Sequence, residues 1–458
     1  MPLATALVAL GPALSAQNAW SPMQPPFNYV GYMYNINADT IGDALYFHAV
    51  VSVVGNTFPD HAVAVYKNGQ WDTLGLFANQ TTDVIRWHDT LLIAGGGASV
   101  NGIPISGVAA YVNGTWSGYG LFQGYNWQAA DPYRFRIIEG DLYAIGGFTY
   151  ADGHLCNGIA KREGNEWVNV GFMDVGDPPN MQDLVEYNGE LIVCGVFNII
   201  GEGTSIARFD GSEWHTLGPG IIGSFGGAGR SMAVYQGELY LSGAIDGAVN
   251  PGHGIMRWDG TQFLPVGTGF QDIDGLQNYL IGALDMKVRD GLLWASGTFS
   301  YAGNQATPGI AIWDGTSWCA LPPGPTPEVN AFEFFHDTLF MGNHDVLYGQ
   351  QDVPAVRFNG NLAEAATCAW SVGVQEEAVQ LDQSLGARFG GDGRLYLSGL
   401  PDGAVTVRVM NMLGQLVHSA GINTGPDQQI VLEVPTSPGQ VLLVAVDGHG
   451  AVRTVRLE

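Results

Sequence analysis

The sequence W-x-x-L-G, or a close variant, returns about every fifty residues along this chain of 458 residues. Trp71, Trp116, Trp167, Trp214 and Trp318 carry it, and Phe263 stands in once. Self-similarity at that period marks a repeat architecture, and short strands between tight turns make it a β-propeller of about four strands per unit. Turn dipeptides precede most copies: Asn68-Gly69, Asn113-Gly114, Asp210-Gly211, Asp259-Gly260 and Asp314-Gly315. Such pairs supply the positive φ angles of short hairpin turns. A second tight turn opens each unit, as in Gly140-Asp141-Leu142-Tyr143, Gly189-Glu190-Leu191-Ile192, Gly237-Glu238-Leu239-Tyr240 and Gly291-Leu292-Leu293-Trp294. Asp89-Thr90-Leu91 and Asp337-Thr338-Leu339 repeat it without glycine. The flanking runs are short and rich in Val, Ile, Tyr and Leu, which reads as strand, and no segment sustains helical periodicity.

Seven units start near residues 41, 88, 140, 189, 237, 291 and 337, but only six are followed by the aromatic strand. Trp20-Ser21-Pro22-Met23 fits the missing copy, fifty-one residues before Trp71. It is expected to complete the last unit as a clasp, which removes an open strand edge. The expectation is an all-β chain with a seven-bladed propeller; six blades with an irregular end unit is the alternative. In a four-stranded antiparallel unit the short first and third turns share one face. The long segments 96–106, 118–132, 172–182, 219–230, 244–253, 268–284 and 342–353 are second turns and links. They are expected to crowd the other face as irregular loops around the channel mouth, where a rigid scaffold usually places binding.

Residues 1–16 are apolar and small and read as a secretory signal cleaved before Gln17. A buried first strand is the other reading, and Gly11-Pro12 argues against it. No apolar run reaches the length of a membrane span. Residues 371–458 break the period; their alternating runs at 395–397, 405–409, 416–417, 430–434, 441–446 and 452–457 read as a small immunoglobulin-like β-sandwich.

The run from Val405 to Val417, VTVRVMNMLGQLV, resembles the C-terminal sorting domain of the type IX secretion system of Bacteroidetes. Pro438-Gly439 followed by Val441–Val446, and the closing Arg453-Thr454-Val455-Arg456-Leu457, share the resemblance. The chain lacks the Asn-Pro pair common near the start of such domains and ends in Glu458 rather than a basic residue. The resemblance implies the type IX secretion machinery as a partner, export through the periplasm and across the outer membrane, and removal of the domain. The product would be extracellular or held at the outer-membrane surface. Residues 20–370 resemble the kelch and galactose-oxidase-like repeats of secreted Bacteroidetes proteins, a likeness specific for fold and not for activity. The expected division is signal 1–16, propeller 17–370 and sorting domain 371–458.

Glycine, at 66 residues, is about twice its usual share, as a hairpin-dense fold needs. Lys and Arg number 17 against 43 Asp and Glu, a net charge of −26, with three lysines in all. Nucleic acid is excluded as a partner on that balance, because neutralising phosphates needs clustered cations. Four cysteines fit an oxidising compartment. Cys319 and Cys368 are placed to staple the ring closure, and Cys156 and Cys194 lie in neighbouring units and could also pair. Four cysteines allow three connectivities, and buried free thiols are the other reading.

Linear motifs of catalysis fail. Asp314-Gly315-Thr316-Ser317-Trp318 resembles the Asp-box of sialidases, but that motif places its glycine one residue later. Arg208, Arg257 and Arg357 occupy one repeat position and read as structural rungs rather than a carboxylate-binding cluster. The ten histidines are scattered without metal-ligand spacing, and His88 and His336 precede the same turn in two units. There is no activated-serine motif and no nucleotide loop. No catalytic residue and no cofactor is assigned, with calcium the one ion to consider. Asp272 and Asp274, like Asp174 and Asp177, put carboxylates in long loops, the oxygen ligands calcium takes; solvated acidic loops are the other reading.

Loop aromatics give the ligand hint. Phe122, Tyr125, Trp127 and Tyr133 fall in one link, and Tyr301 and Tyr348 in other long loops. Exposed Trp and Tyr stack on sugar rings and anchor interfaces; filling the channel mouth is the other reading. The expected function is a secreted or cell-surface, non-catalytic protein binding a polysaccharide or a surface protein through the loop-rich face. The alternatives are an extracellular glycan-active enzyme, with carboxylates or a metal converging at the channel mouth, and a structural or adhesive surface protein.

Overall fold

A computed structural model describes residues 20–23, 29–51, 60–125, 130–171, 173–175, 179–221, 228–271, 281–321, 329–343 and 355–362, together with 386–389, 394–398, 400, 403–411, 416–425, 430–434, 442–448 and 451–457. The chain divides into two compact units, Met1–Val372 and Gly373–Glu458. The regular elements bounded among the described residues are all β-strands. Among those residues no helix is long and apolar enough to cross a membrane.

The first unit is built from antiparallel sheets whose strands run outward in chain order. One sheet shows the pattern: Asn180–Tyr187, Glu190–Asn198, Thr204–Phe209 and Trp214–Thr216. The inner strands are Tyr29–Asp39, Thr81–Trp87, Pro132–Ile138, Asn180–Tyr187, Ala228–Tyr235, Gly282–Arg289 and Val329–Phe335. They lie side by side in chain order, and the last meets the first. In the sheet that starts at Val329 the fourth strand is Trp20–Met23, antiparallel to Ala355–Phe358 with Trp20 opposite Phe358. The clasp implied by the spacing of Trp20 and Trp71 is thus present in the strand pairing.

The cores lie between sheets. Tyr143, Ile145 and Ile159 of one sheet pack with Met181, Leu184 and Val193 of the next. Met23, Ile36, Phe47, Phe340 and Ala355 form the equivalent core where the last sheet meets the first. Fully burying each such large apolar side chain contributes roughly 1.5–3 kcal/mol. Sheets stacked face to face in a closed circle make a β-propeller.

The repeat motif is a contact between successive sheets. The Trp167 indole donates to the Tyr119 carbonyl at 2.9 Å, Trp214 to Val170 at 2.6 Å and Trp318 to Val266 at 3.3 Å. Each accepting carbonyl sits at the fourth position of the preceding copy. The glycine that follows lets the indole approach: a Cβ on Gly120, at φ +109, would lie 2.5 Å from Trp167 Cδ1. The other repeated residues also have local tasks. His88 and His336 hold the left-handed first position of their turns, as Glu139, Asn188, Gln236 and Asp290 do elsewhere. Asp314 Oδ1 accepts from the Thr316 and Ser317 amides and the Thr316 hydroxyl, each at 2.7 Å, closing its turn. Arg208 pairs with Glu190 at 2.8 Å, and Arg257 with Glu238, one rung in each sheet.

The segment 96–106, expected as an irregular loop, holds an ordered hairpin, and two further hairpins match it. Ser99–Val100 pairs with Ile103–Pro104, Tyr150–Ala151 with His154–Leu155, and Tyr301–Ala302 with Gln305–Ala306. Asn101 (φ 47) with Gly102 (φ 77), and Asp152 (φ 47) with Gly153 (φ 85), make the tight turns. Link strands Phe122–Gln123 and Phe270–Gln271 pair onto two of these hairpins. Cys319 is disulfide-bonded. Cys156 and Cys194 are buried free thiols, which removes the pairing considered between them. Cys368 lies outside the described residues.

In the second unit one sheet orders Gly386–Phe389, Leu395–Ser398 and Ile430–Leu432. The other orders Leu416–Thr424, Gly403–Asn411, Leu442–Gly448 and Ala451–Leu457. Alternate residues of both, Leu395 and Leu397 with Val405, Val407, Val409, Val444 and Val446, share one core.

Candidate functional site

Every inner strand carries a β-bulge near its start. The register slips between Met33 and Asn35, Thr81 and Asp83, Pro132 and Arg134, Met181 and Asp183, Gly229 and Ser231, Ala283 and Asp285, and Val329 and Ala331. A bulge leaves one residue unpaired and re-aims its side chain. The second strand presses close behind it. A Cβ on Gly243 would lie 1.9 Å from the Ala228 carbonyl oxygen, and one on Gly195 would lie 2.3 Å from that of Asn180.

The bulges build the mouth of the channel. A cavity of about 450 Å³ is lined by Asn35, Gln80, Thr82, Tyr133, Arg134, Asn180, Gln182, Arg230, Leu284, Asp285 and Asn330. Thr82, Tyr133, Gln182, Arg230, Leu284 and Asn330 are bulge residues themselves. Because these positions begin the inner strands, the mouth opens on the face of the second turns and the links.

Carboxamides dominate the wall. Gln182 donates to Asn180 Oδ1, and its own Oε1 faces Arg230 Nη1 at 3.5 Å. Asn35 donates to the Thr82 carbonyl at 2.7 Å, and the Thr82 hydroxyl to that of Pro132 at 3.3 Å. Tyr133 rests its hydroxyl beside Gly147, where a Cβ would come within 2.5 Å of it. Burial, and then Asp131, push the Tyr133 phenol up. Burial lifts Asp131 itself to about 6, against the opposing Gly97 amide.

Below the rim the charges are paired. Asp183 is fully buried and takes Arg134 at 3.2 Å and Arg136 at 2.5 Å. Lys287 bridges Asp285 at 3.0 Å and Glu333 at 3.5 Å. Burial pushes the Asp285 carboxyl up, but Lys287 and Arg134 outweigh it and hold it below the usual carboxylate range. Burial lifts Glu333 despite Lys287. Asp83, also buried, accepts from Asn37 at 2.6 Å and from the Phe135 amide at 2.7 Å. Burial nonetheless leaves it above its ordinary value, with Arg136 the main opposing charge. His48 completes this web, with Nε2 2.9 Å from Asn37 Oδ1 and Nδ1 2.8 Å from Thr81 Oγ1. Asn37 donates to Asp83, so its oxygen accepts, and His48 is neutral with the proton on Nε2. Ionised pairs and amide bonds of this kind tie neighbouring inner strands together. Among the described residues a single carboxylate, Asp285, lines the cavity, and Lys287 engages it.

Of the aromatics singled out in the sequence, Tyr133 lines the mouth. Phe122 is a correction: it is no exposed loop aromatic but fully buried, packed on Phe148 at 4.9 Å and Trp167 at 5.5 Å. It stands six residues after Trp116, as Phe77 does after Trp71, and both are core residues. That offset was the available signal. Tyr301 is half-buried in an accessory hairpin opposite Gln271, away from the cavity. Tyr125 is 70% exposed on its link and does not line the cavity. Trp127, Tyr348, Asp272 and Asp274 lie outside the described residues. Among the described residues no three His, Cys, Asp or Glu groups gather as metal ligands. The polar bulge residues were missed by sequence reasoning. Their signal is the glycine at or near the end of the second strand behind them, Gly95, Gly146, Gly195, Gly243 or Gly297.

No protein-family model and no curated protein sequence matches this chain. Solved structures of other β-propeller proteins are similar to it. PorZ, a surface component of the type IX secretion system of Porphyromonas gingivalis, aligns at 13% identity over 95% of this chain and 61% of its own, with a TM-score of 0.43. This chain therefore spans less than two thirds of that protein. The propeller domain of the Trilobed protease of Pyrococcus furiosus aligns at 9% identity over 72% of this chain and 96% of its own, with a TM-score of 0.41. An α-L-arabinofuranosidase of Fusarium graminearum aligns at 14% identity over 76% and 99%, with a TM-score of 0.37. The ring and its mouth are read from this chain's own strand registers and core contacts.

Proposed function

We propose that this is a secreted, surface-displayed, non-catalytic binding protein that recognises a polysaccharide at the channel mouth. The observation that carries the reading is the wall of the cavity. Asn35, Gln80, Asn180, Gln182 and Asn330 present paired donors and acceptors, and Tyr133 adds an aromatic ring. Carboxamides that both donate and accept suit hydroxyl groups, which do the same, and an aromatic ring can stack on a sugar face. Among the described residues the carboxylate that lines the mouth, Asp285, is held by Lys287, whereas glycoside hydrolysis uses a pair of carboxylates for its acid and base work.

The architecture that goes with this reading is a seven-bladed propeller over residues 17–370, closed by the Trp20–Met23 strand. The inner-strand order and the core joining last sheet to first support it. Residues 371–458 are read as an immunoglobulin-like type IX sorting domain, in keeping with the division after Val372 and the shared core of its two sheets. Residues 1–16, outside the described residues, are read as the export signal.

The test is a glycan-array screen of the full chain with the Gln182→Ala and Asn330→Ala variants beside it. A specific glycan retained by the wild type and weakened at least fivefold in both variants is the expected result. A folded wild type that binds no glycan would overturn the polysaccharide reading in favour of a protein partner.

A further inference from the structure

Arg230 differs from every other cation on the described inner strands. Arg86, Arg134, Arg136, Lys287 and Arg289 each pair with a carboxylate within 3.2 Å. Arg230 makes no ion pair among the described residues. Its polar contact is a 3.5 Å approach to Gln182 Oε1. It is exposed, it lines the cavity, and it is the charged member among the bulge residues of the rim. In a chain with 43 acidic residues against 17 basic ones, an arginine clear of carboxylates among the described residues is unexpected. Arg134, the other guanidinium in the wall, has its Nη1 ion-paired to Asp183 but without a hydrogen-bond partner of its own.

We propose that the mouth recognises an acidic sugar, with the ligand's carboxylate held by the free fork of Arg230 while the amide wall takes its hydroxyls. The proposal rests on the polysaccharide reading and names the class of sugar. A planar guanidinium binds a carboxylate through two parallel hydrogen bonds, which a neutral hydroxymethyl group cannot match. One unpaired guanidinium accommodates one carboxylate. The net charge of −26 disfavours a continuous polyanion. The fitting ligand therefore carries a single uronic acid, such as the end of an otherwise neutral chain. A Debye length of roughly 8 Å at physiological salt screens the surrounding acidic surface while leaving contacts at the mouth intact.

The experiment uses the full chain at physiological salt on an array of uronic-acid-terminated oligosaccharides and their carboxyl-reduced counterparts. Each pair is identical except that a carboxylate becomes a hydroxymethyl group. The expected result is at least tenfold tighter binding of an acidic member than of its reduced partner. Arg230→Gln should abolish that preference, and Arg230→Lys should restore only part of it. Arg230 is exposed and makes no ion pair among the described residues, so both variants should fold, and an unchanged thermal unfolding profile checks this. Equal binding of acidic and reduced sugars, or an acid preference that survives Arg230→Gln, overturns the acidic-sugar proposal and leaves the polysaccharide reading standing. No binding to either set, nor to any neutral glycan of the wider array, overturns both.

Discussion

At the scale of single residues this protein spends its polar side chains on holding strands together. His48 is the sharpest case. It is wholly buried, and burial pulls its imidazole from the ordinary 6.5 down to about 3, against the opposing hydrogen bond at Thr81. The folded chain keeps His48 neutral while the unfolded chain protonates it below its ordinary value. Between those two values the unfolded state binds more protons, so stability falls as the pH drops through the window and is fully present above it. The slope is about 1.4 kcal/mol per pH unit for one group. Asp131, lifted to about 6, acts in the opposite sense, because its folded form takes up a proton first and gains stability on acidification. The two are separated by difference: thermal unfolding of wild type minus that of His48→Gln, from pH 7 to pH 5 (roughly the histidine window), should narrow as the pH falls. A constant difference would show that His48 is not held neutral.

At the scale of elements the device is the bulge with a glycine behind it. Gly195 and its equivalents let the inner strand pass so close that a methyl group would meet backbone oxygen. Gly195→Ala should cost about 1–3 kcal/mol by overpacking. It should also weaken glycan binding, because the strand it displaces carries Asn180 and Gln182. Calorimetry and the glycan array read the two effects separately; a stable variant with undiminished binding would sink the coupling. The accessory hairpins show a related economy. Phe77, Phe122 and Phe270 anchor them by burial, so aromatics that look like ligand contacts in a loop-rich stretch are the packing that orders it.

At the scale of the whole molecule the ring depends on its closure. Trp20 is 3% exposed and sits 4.9 Å from the Phe358 ring, and Met23 reaches the core that joins last sheet to first. Removing this strand would bare the edge Ala355–Phe358, a template for pairing with other chains. Trp20→Ala should cost about 3–5 kcal/mol, with a lower unfolding temperature and aggregates on size-exclusion chromatography. A monodisperse variant of unchanged unfolding temperature would show that closure does not need the clasp.

Turns, strands and the clasp were legible in the sequence because they are set locally. Asn-Gly and Asp-Gly pairs fix backbone signs, alternation fixes which face is buried, and a repeat period of about fifty residues reveals a missing copy at the other end of the chain. The role of the Asp314 turn and of the Arg208 and Arg257 rungs followed from the same repetition. The site was legible only in its face, and of the named aromatics among the described residues Tyr133 alone lines its wall. Phe122 was misplaced because burial depends on a neighbouring sheet that its own segment does not reveal. Gly243 marks Arg230 as a bulge residue, but nothing local tells which charges it meets. Its meeting with Gln182 and Asn330 in one wall arises because the ring brings together strands that lie far apart in sequence. Local chemistry determined the units, and the closed circle decided which of their side chains share a cavity.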